Sequence, residues 1–244
     1  MPYRYLTLEE VARYLHLTPA DLEHLVKDQA IPFEKRGERL VFRKGEIEAW
    51  ASRRILGFAE RRLTEYHQKS TRGTQAILPQ EAILAELIRP DFIAPALTAK
   101  TKASTLRGMV ALAEETGLLN DARALLGGLE AREKLCSTAI PGGIALLHPR
   151  LQQPYLFEAS FIVLGRTLQE IHFGAPDGQP TDLFFLICSQ DDRVHLHTLA
   201  RLCLLALKTD LLARLRAAPD ASSMHESLLA SETEALRARR SHPG

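Results

Sequence analysis

An unbroken run of apolar residues restricts the fold of this chain more than any other feature. The segment from Leu183 to Cys188 contains six consecutive apolar residues. A strand with one face in water alternates apolar and polar side chains, so such a run is typical of a strand buried on both faces. Helical patterns at 104–116, 121–134 and 195–207 lie before and after it. Strands that alternate with helices predict an α/β (α+β) domain in which helices flank a sheet.

Pattern and composition divide the 244 residues into four segments. We predict a small helical domain at 1–55, a helical linker at 56–77, the α/β domain at 78–235 and a flexible, charged tail at 236–244. Two domains fit this length because a domain typically contains about 100–150 residues. The polar segment Ser70–Gln75 contains glycine and breaks the helical periodicity, so it is the best candidate for the boundary.

Charge and cysteine content narrow the classes of protein that fit. The formal net charge is +1, but residues 1–72 carry a net of +3 and residues 73–244 a net of −2, so the N-terminal part is the better candidate for contact with a polyanion. Cys136, Cys188 and Cys203 form no C-x-x-C pair. A disulfide framework or a zinc site is therefore not expected, and a reducing, cytoplasmic location fits. No apolar run approaches the ~18–20 residues of a membrane span, so we expect no contact with the membrane.

The first 55 residues follow the order helix, turn, helix, hairpin, helix. Thr7 and Glu10 form a capping box for the first helix, and Thr18-Pro19 begins the second. Two apolar segments around a charged turn predict a hairpin at 31–42, and a third helix begins at about Lys44. This order predicts a winged helix-turn-helix domain.

The segments Tyr5–Leu15 and Phe42–Trp50 resemble the excisionase-type, MerR-like DNA-binding domain, and the resemblance covers about residues 3–54. It implies that the second helix enters the major groove and that the hairpin contacts the DNA backbone. Basic side chains in these positions would neutralise phosphates. They are Lys27, Lys35, Arg36, Arg39, Arg43 and Lys44.

The charge of the second helix leaves the partner of this domain open. Asp21, Glu23 and Asp28 outnumber Lys27 there, and this acidic surface opposes an approach to DNA. Docking to a protein is therefore the alternative to DNA binding.

The linker is rich in arginine and has a helical pattern. We interpret it as an exposed helix with i,i+4 ion pairs such as Arg61 with Glu65. A basic helix that extends a DNA contact or dimerises is the alternative.

A histidine follows a second, shorter apolar run in the middle of the C-terminal domain. The predicted strand Ile144–Leu147 follows the pair Gly142-Gly143 and leads directly into His148. A side chain at the exit of a buried strand is held rigidly and can face solvent, which suits a nucleophile or a ligand. Most lone histidines have no such role, so the local sequence alone favours a structural strand end.

Five stretches, one of which contains this histidine, give it a context. Together they resemble the EIIA domain of the phosphotransferase system, in its mannitol/fructose and PtsN nitrogen-regulatory branch. The stretches, in chain order, are 129–133, 137–140, 143–150, 177–186 and 195–202. The resemblance covers about residues 78–235, and it implies a mixed β-sheet flanked by helices.

The resemblance also assigns roles at the site. It implies that His148 accepts a phosphoryl group from the phosphohistidine of an HPr-like carrier protein, that Arg132 is the phosphate-side arginine and that His195 is the second active-site histidine. Phosphoryl transfer needs a neutral imidazole nucleophile and donors around the phosphoryl oxygens. We expect His195 to lie at a helix start, where free N–H groups favour an anion, and Thr138 to donate a further hydrogen bond.

The chain departs from the family beside the histidine. The family usually has proline before it and glycine after it, whereas Leu147 precedes and Pro149 follows His148 here. Proline is bulkier than glycine and has no N–H. We therefore expect the docking of the phosphoryl donor and the rate of transfer to differ from those of other family members. Neither a Walker A motif nor G-x-G-x-x-G occurs, and His195 and His197 do not share a helix face, so we expect no cofactor and no metal.

The sequence therefore predicts a regulatory phosphocarrier that signals through a target protein or through DNA. A DNA-binding transcriptional regulator with a non-phosphorylated EIIA-like sensor is one alternative. A sugar-transport EIIA component that serves a separate EIIB is the other.

Overall fold

Two sheets and the helices packed on them make up the structure, a computed structural model that describes residues 4–74, 77–78, 80–151 and 153–241. The N-terminal domain has a three-stranded antiparallel sheet in the order β1-β3-β2. Its elements are β1 (Tyr5–Leu6), α1 (Leu8–Tyr14), α2 (Pro19–Lys27), β2 (Glu34–Arg36), β3 (Arg39–Arg43) and α3 (Lys44–Leu56).

Local sequence signals define this domain. The Thr7 hydroxyl accepts a hydrogen bond from the Glu10 N–H at 3.2 Å, and the Glu10 carboxylate accepts one from the Thr7 N–H at 2.9 Å, which completes the predicted capping box. Gly37 turns the hairpin with a φ of +63°, a conformation that side chains disfavour. The winged helix-turn-helix prediction is confirmed, and β1 is an additional strand too short to be recognised from its sequence.

The linker forms α4 (Glu60–Thr74), which is helical as predicted. The Arg61–Glu65 ion pair is present at 3.2 Å. The helix includes Ser70–Thr74, where the sequence predicts a break. Hydroxyl groups in this stretch donate to carbonyl oxygens one turn earlier, for example Thr71 to His67 at 2.8 Å. Contact with the C-terminal domain buries one face of α4, and tertiary packing thus overrides the weak helical propensity.

The C-terminal domain has a five-stranded mixed sheet in the order β4-β7-β8-β6-β5. Strand pairs β4/β7 and β6/β8 are parallel, and β7/β8 and β5/β6 are antiparallel. The elements are α5 (Leu84–Leu87), β4 (Ile93–Leu97), α6 (Lys102–Glu115), α7 (Ala122–Glu133), β5 (Ala139–Ile140), β6 (Ile144–Leu147), β7 (Phe161–Ile171), β8 (Thr181–Cys188), α8 (Asp192–Lys208), α9 (Leu211–Ala217) and α10 (Ala221–Ser241).

The apolar run at 183–188 forms the middle of this sheet, in β8, and each of its side chains is buried. The predicted mixed sheet flanked by helices is confirmed. No helix in the described ranges is long and apolar enough to cross a membrane.

The structure differs from the sequence predictions at two elements. We predict one strand at 157–164 and a separate extended piece at 171–173, whereas β7 runs from Phe161 to Ile171 with an irregular register against β8. We also predict a flexible tail from residue 236, whereas α10 extends through Ser241. Residues 242–244 of that predicted tail lie outside the described part.

Candidate functional site

The topology of the sheet brings two distant histidines together. His148 directly follows β6, and α8 follows β8 after a short loop. Since β6 and β8 are parallel neighbours, their carboxyl ends lie at the same edge of the sheet. The rings of His148 and His195 therefore lie side by side, with centroids 5.0 Å apart.

Hydrogen bonds fix the ring of His148 and its tautomer. Its Nδ1 lies 2.9 Å from the carbonyl oxygen of Leu146, and its Nε2 lies 3.1 Å from Nε of Arg132. A carbonyl oxygen only accepts and the guanidinium only donates, so Nδ1 carries the proton and Nε2 carries the lone pair. The nucleophilic nitrogen of this histidine is therefore Nε2.

The guanidinium of Arg132 is buried at the end of α7, beside this lone pair. Its Nη1 donates to the carbonyl oxygen of Cys136 at 2.9 Å and contacts Sγ of the same residue at 3.3 Å. Its Nη2 is buried and has no hydrogen-bond partner among the described residues. A buried cationic donor without a partner is costly, and a phosphoryl oxygen would be a suitable acceptor for it.

Burial keeps both histidines neutral. It lowers the pKa of His148 well below the usual range, and the nearby His195 and Arg132 lower it further. Burial, followed by the charge of Arg132, lowers the pKa of His195 to about 3. At neutral pH the imidazole of His148 is thus unprotonated and able to attack an electrophile.

This neutral state predicts a pH-dependent stability. The pKa of His195 falls from 6.5 in the unfolded chain to about 3 in the folded one, so the unfolded state binds more protons between these values. The free energy of unfolding should therefore decrease as pH falls from 6.5, by up to about 1.4 kcal/mol per pH unit from this residue. Urea unfolding of His195→Gln should show a shallower pH slope than wild type. The exposed His172→Gln is the control, and equal slopes for wild type and His195→Gln would contradict the assignment.

His195 lies in the second turn of α8 and not at its first residue. Its N–H donates to the carbonyl oxygen of Asp191 at 3.0 Å. The Asp191 carboxylate accepts from the N–H groups of Arg193 and Val194. The expectation that His195 shares a helix start with free N–H groups is therefore wrong, because the aspartate already caps that terminus.

Thr138 is buried, but its polar groups are directed elsewhere. Its hydroxyl donates to the carboxylate of Glu133, as does its N–H at 3.0 Å. Glu133 also forms an ion pair with Lys102 at 2.8 Å. The structure thus gives Thr138 a role in fixing the turn between α7 and β5, and it does not bring the hydroxyl into contact with His148.

The residues that flank His148 are packed into the fold. Leu147 is buried within β6, and Pro149 is buried against α7. A Cβ added at Gly128 would lie 3.0 Å from Cβ of Pro149, and the Arg150 N–H donates to the Gly128 carbonyl at 3.1 Å. The proline after His148 is therefore accommodated by a glycine in the middle of α7.

The predicted DNA-binding residues do not all share one environment. Lys27, Lys35, Arg36, Arg39 and Arg43 are exposed on α2 and the hairpin. Lys44 is half-buried instead and pairs with Glu48 at 3.0 Å and with Asp192 of the C-terminal domain. The structure thus places Lys44 at a contact between domains.

Sequence reasoning missed one residue of the site. Ser52 in α3 is buried, and its hydroxyl lies 3.3 Å from Nε2 of His195. It belongs to the predicted helix-turn-helix domain and carries no motif. The sequence therefore contains no signal for this contact.

Comparison with known proteins identifies both domains of the chain. Residues 86–231 match the family described as phosphoenolpyruvate-dependent sugar phosphotransferase system, EIIA 2, and residues 5–55 match a helix-turn-helix domain. A nitrogen regulatory protein of Bradyrhizobium diazoefficiens is 35% identical over 147 residues, which cover 59% of this chain and 94% of that protein.

Two solved structures show the same fold. The nitrogen regulatory protein IIA-Ntr from Neisseria meningitidis has a TM-score of 0.51 and 24% identity, and the match covers 60% of this chain and 99% of that one. Enzyme IIAMtl from Escherichia coli, in complex with phosphorylated enzyme IIBMtl, has a TM-score of 0.50 and 16% identity, with 59% and 97% covered. The family match spans more than half of the chain and includes Arg132, His148 and His195, so this protein belongs to the EIIA 2 family of the phosphotransferase system and carries an N-terminal helix-turn-helix domain.

Proposed function

We propose that this protein is a regulatory phosphocarrier in which Nε2 of His148 accepts a phosphoryl group from an HPr-like carrier protein. The observation that carries the proposal is the arrangement of His148, which has its proton fixed on Nδ1 and its lone pair directed at a buried arginine. This geometry suits attack on a phosphorus atom. The family match supports the same reaction.

The transfer is a simple exchange of one P–N bond for another. The lone pair on Nε2 of His148 attacks the phosphorus, the P–N bond of the donor phosphohistidine breaks, and the donor imidazole leaves with the bonding electrons. Positive charge then grows on the His148 ring, and the Leu146 carbonyl oxygen stabilises it through Nδ1–H. The Nε–H of Arg132, which donates to Nε2 of His148 before transfer, then donates to the phosphoryl oxygens. Its Nη2, which has no partner among the described residues, supplies a further donor.

The relatives suggest a context for this chemistry. Several are named nitrogen regulatory proteins, and we propose that this chain likewise reports nitrogen status through the phosphorylation state of His148. The partners would be a cytoplasmic HPr-like carrier and a regulated target protein. A sugar-transport role with a separate EIIB remains the alternative, since one structural neighbour is bound to a phosphorylated IIB protein.

Phosphotransfer in vitro tests this proposal. The full-length protein should become labelled when it is incubated with labelled phosphoenolpyruvate, Enzyme I and an HPr-type carrier, and omission of the carrier should prevent labelling. The label should be lost in acid and retained in alkali, as expected for phosphohistidine, and it should map to the peptide that contains His148. Absence of label from the full-length protein and from variants that expose His148, or label on another peptide, would overturn the proposal.

DNA binding is a second candidate function for the N-terminal domain. It is favoured by the helix-turn-helix match and by five exposed basic residues on α2 and the hairpin. Charge reversal at two of them, Lys35→Glu with Arg39→Glu, should abolish a gel shift that wild type produces at low salt, because phosphate contacts dominate such affinity. Reversal of the exposed Lys100→Glu in the C-terminal domain is the control. No shift at low salt with either the unphosphorylated or the phosphorylated wild type would exclude this function.

A further inference from the structure

The proposed phosphoacceptor site is closed in this structure. His148, His195 and Arg132 are each only 2% exposed. A phosphoryl group held on a carrier protein must reach Nε2 in line with the bond that breaks, with the two reacting atoms about 3–3.5 Å apart before transfer. No protein donor can achieve this while the ring is buried.

The N-terminal domain supplies part of the cover. The hydroxyl of Ser52 contacts Nε2 of His195 at 3.3 Å, and Ser52 is itself buried. One turn earlier in α3, Glu48 pairs with Lys44, which also pairs with Asp192 at the start of α8. These contacts place α3 across the first turns of α8, beside His148.

A second contact joins α3 to the segment that follows His148. The backbone of Gly45 approaches Leu151 so closely that an added Cβ would lie 2.6 Å from Cδ2 of the leucine. Leu151 follows the histidine by three residues. The same helix thus touches the segments that carry both histidines of the site.

The linker helix α4 stays on the C-terminal domain by a separate set of contacts. Ser70 lies 2.7 Å from Nδ1 of His197, His67 stacks on the same ring at 4.5 Å, and Lys208 pairs with Glu60 at 3.1 Å. Only residues 57–59 separate α3 from α4. Opening of the winged domain about this connection would also break the contact between the rings of His16 and Tyr66 in α4, whose centroids are 5.9 Å apart.

We propose that the winged domain, residues 4–56, is an intramolecular lid that occupies the docking face of the phosphoryl donor. This inference rests on the proposed function and adds its regulation. Donor and lid compete for one surface, so only the fraction of molecules with the lid displaced accepts the phosphoryl group. The coupling is reciprocal: a phosphoryl group on His148 needs the space beside His195 and disfavours the closed form. Phosphorylation would thereby release the winged domain for its own partner.

Variants that displace the lid should accelerate phosphorylation of the full-length protein. Lys44→Glu places a negative charge beside the carboxylates of Glu48 and Asp192, which repel it. Ser52→Arg places a long cationic side chain where the buried hydroxyl lies. We expect the initial rate of labelling to rise by about tenfold or more if the open form is a minor state. Lys100→Glu is the control, because it makes the same charge reversal at an exposed residue of the C-terminal domain and should label at the wild-type rate.

A reversible cross-link tests whether a lid that is held closed slows phosphorylation. Gly45→Cys with Leu151→Cys should join the lid to the segment after His148, given the close approach of these residues. The oxidised form should label about tenfold more slowly than the reduced form, or not at all. Wild type under the same oxidising and reducing conditions controls for Cys136, Cys188 and Cys203.

The outcomes separate this inference from the proposed function. If wild type is labelled but the opening variants are no faster and the oxidised cross-link is no slower, the lid is refuted and the phosphocarrier function stands. If wild type, the opening variants and the reduced cross-link variant all remain unlabelled, the proposed function fails and the lid fails with it.

Discussion

Replacement of His148 by alanine should abolish phosphorylation by the carrier protein completely. The lone pair on its Nε2 accepts from Nε of Arg132, beside the Nη2 donor that has no partner among the described residues. His195 is not expected to replace it, because no hydrogen bond among the described residues joins its ring to Arg132. The measurement is the amount of acid-labile phosphate per protein after prolonged incubation, and the expected amount for His148→Ala is zero.

Two controls make this result specific. His172→Ala removes an exposed histidine and should be labelled like wild type. Far-ultraviolet circular dichroism and the urea midpoint of His148→Ala should show that the variant is folded. Wild-type labelling of folded His148→Ala would show that another residue accepts the phosphoryl group.

Replacement of Glu232 by leucine should cause the largest loss of stability. Glu232 and Arg201 form an ion pair at 2.6 Å with both side chains buried. The same carboxylate accepts the N–H groups of Ile83 and Leu84 at 3.1 and 3.0 Å. Leucine would leave a buried guanidinium and two N–H groups without this acceptor. Breaking one side of a buried pair typically costs about 3–5 kcal/mol.

Chemical unfolding measures this effect against a matched variant on the same helix. Glu234→Leu removes a carboxylate from a solvent-exposed pair with Arg214, and such pairs contribute about 1 kcal/mol or less. The free energy of unfolding should therefore drop much further for Glu232→Leu. A difference between the two variants of less than about 1 kcal/mol would contradict the role given to the buried pair.

The patterns that depend on local sequence predicted the fold well. The apolar run at 183–188 identified the central strand, and capping residues such as Thr7 identified the start of a helix. The length of β7 was harder to predict from the sequence, because the segment Arg166 to Glu170 interrupts its apolar pattern where the register against β8 shifts. Pairing with a neighbouring strand, and not local sequence, determines the length of that element.

The site was predictable only in part. His148 follows an apolar strand and Arg132 precedes it by 16 residues, and the structure joins the two side chains directly. The hydroxyl of Thr138 bonds to Glu133 instead, and sequence spacing contains no information about that choice.

The packing of the two domains was not predictable at all. Ser52 and His195 are 143 residues apart, and Ser70 and His197 are 127 residues apart. These contacts bury polar side chains, and the sequence of the linker helix that carries Ser70 predicts an exposed helix. A single sequence reveals which residues prefer burial, but polar groups that satisfy one another across a domain contact show no such preference.

The most direct test of the central claim is the position of the phosphoryl group on the imidazole ring. Nitrogen-15 and phosphorus-31 NMR spectra of the phosphorylated full-length protein distinguish the two ring nitrogens of His148. Because Leu146 holds the proton on Nδ1, the expected product is phosphorylated on Nε2, with the Nδ1 proton retained. A phosphoryl group on Nδ1, or on any residue other than His148, would contradict the account.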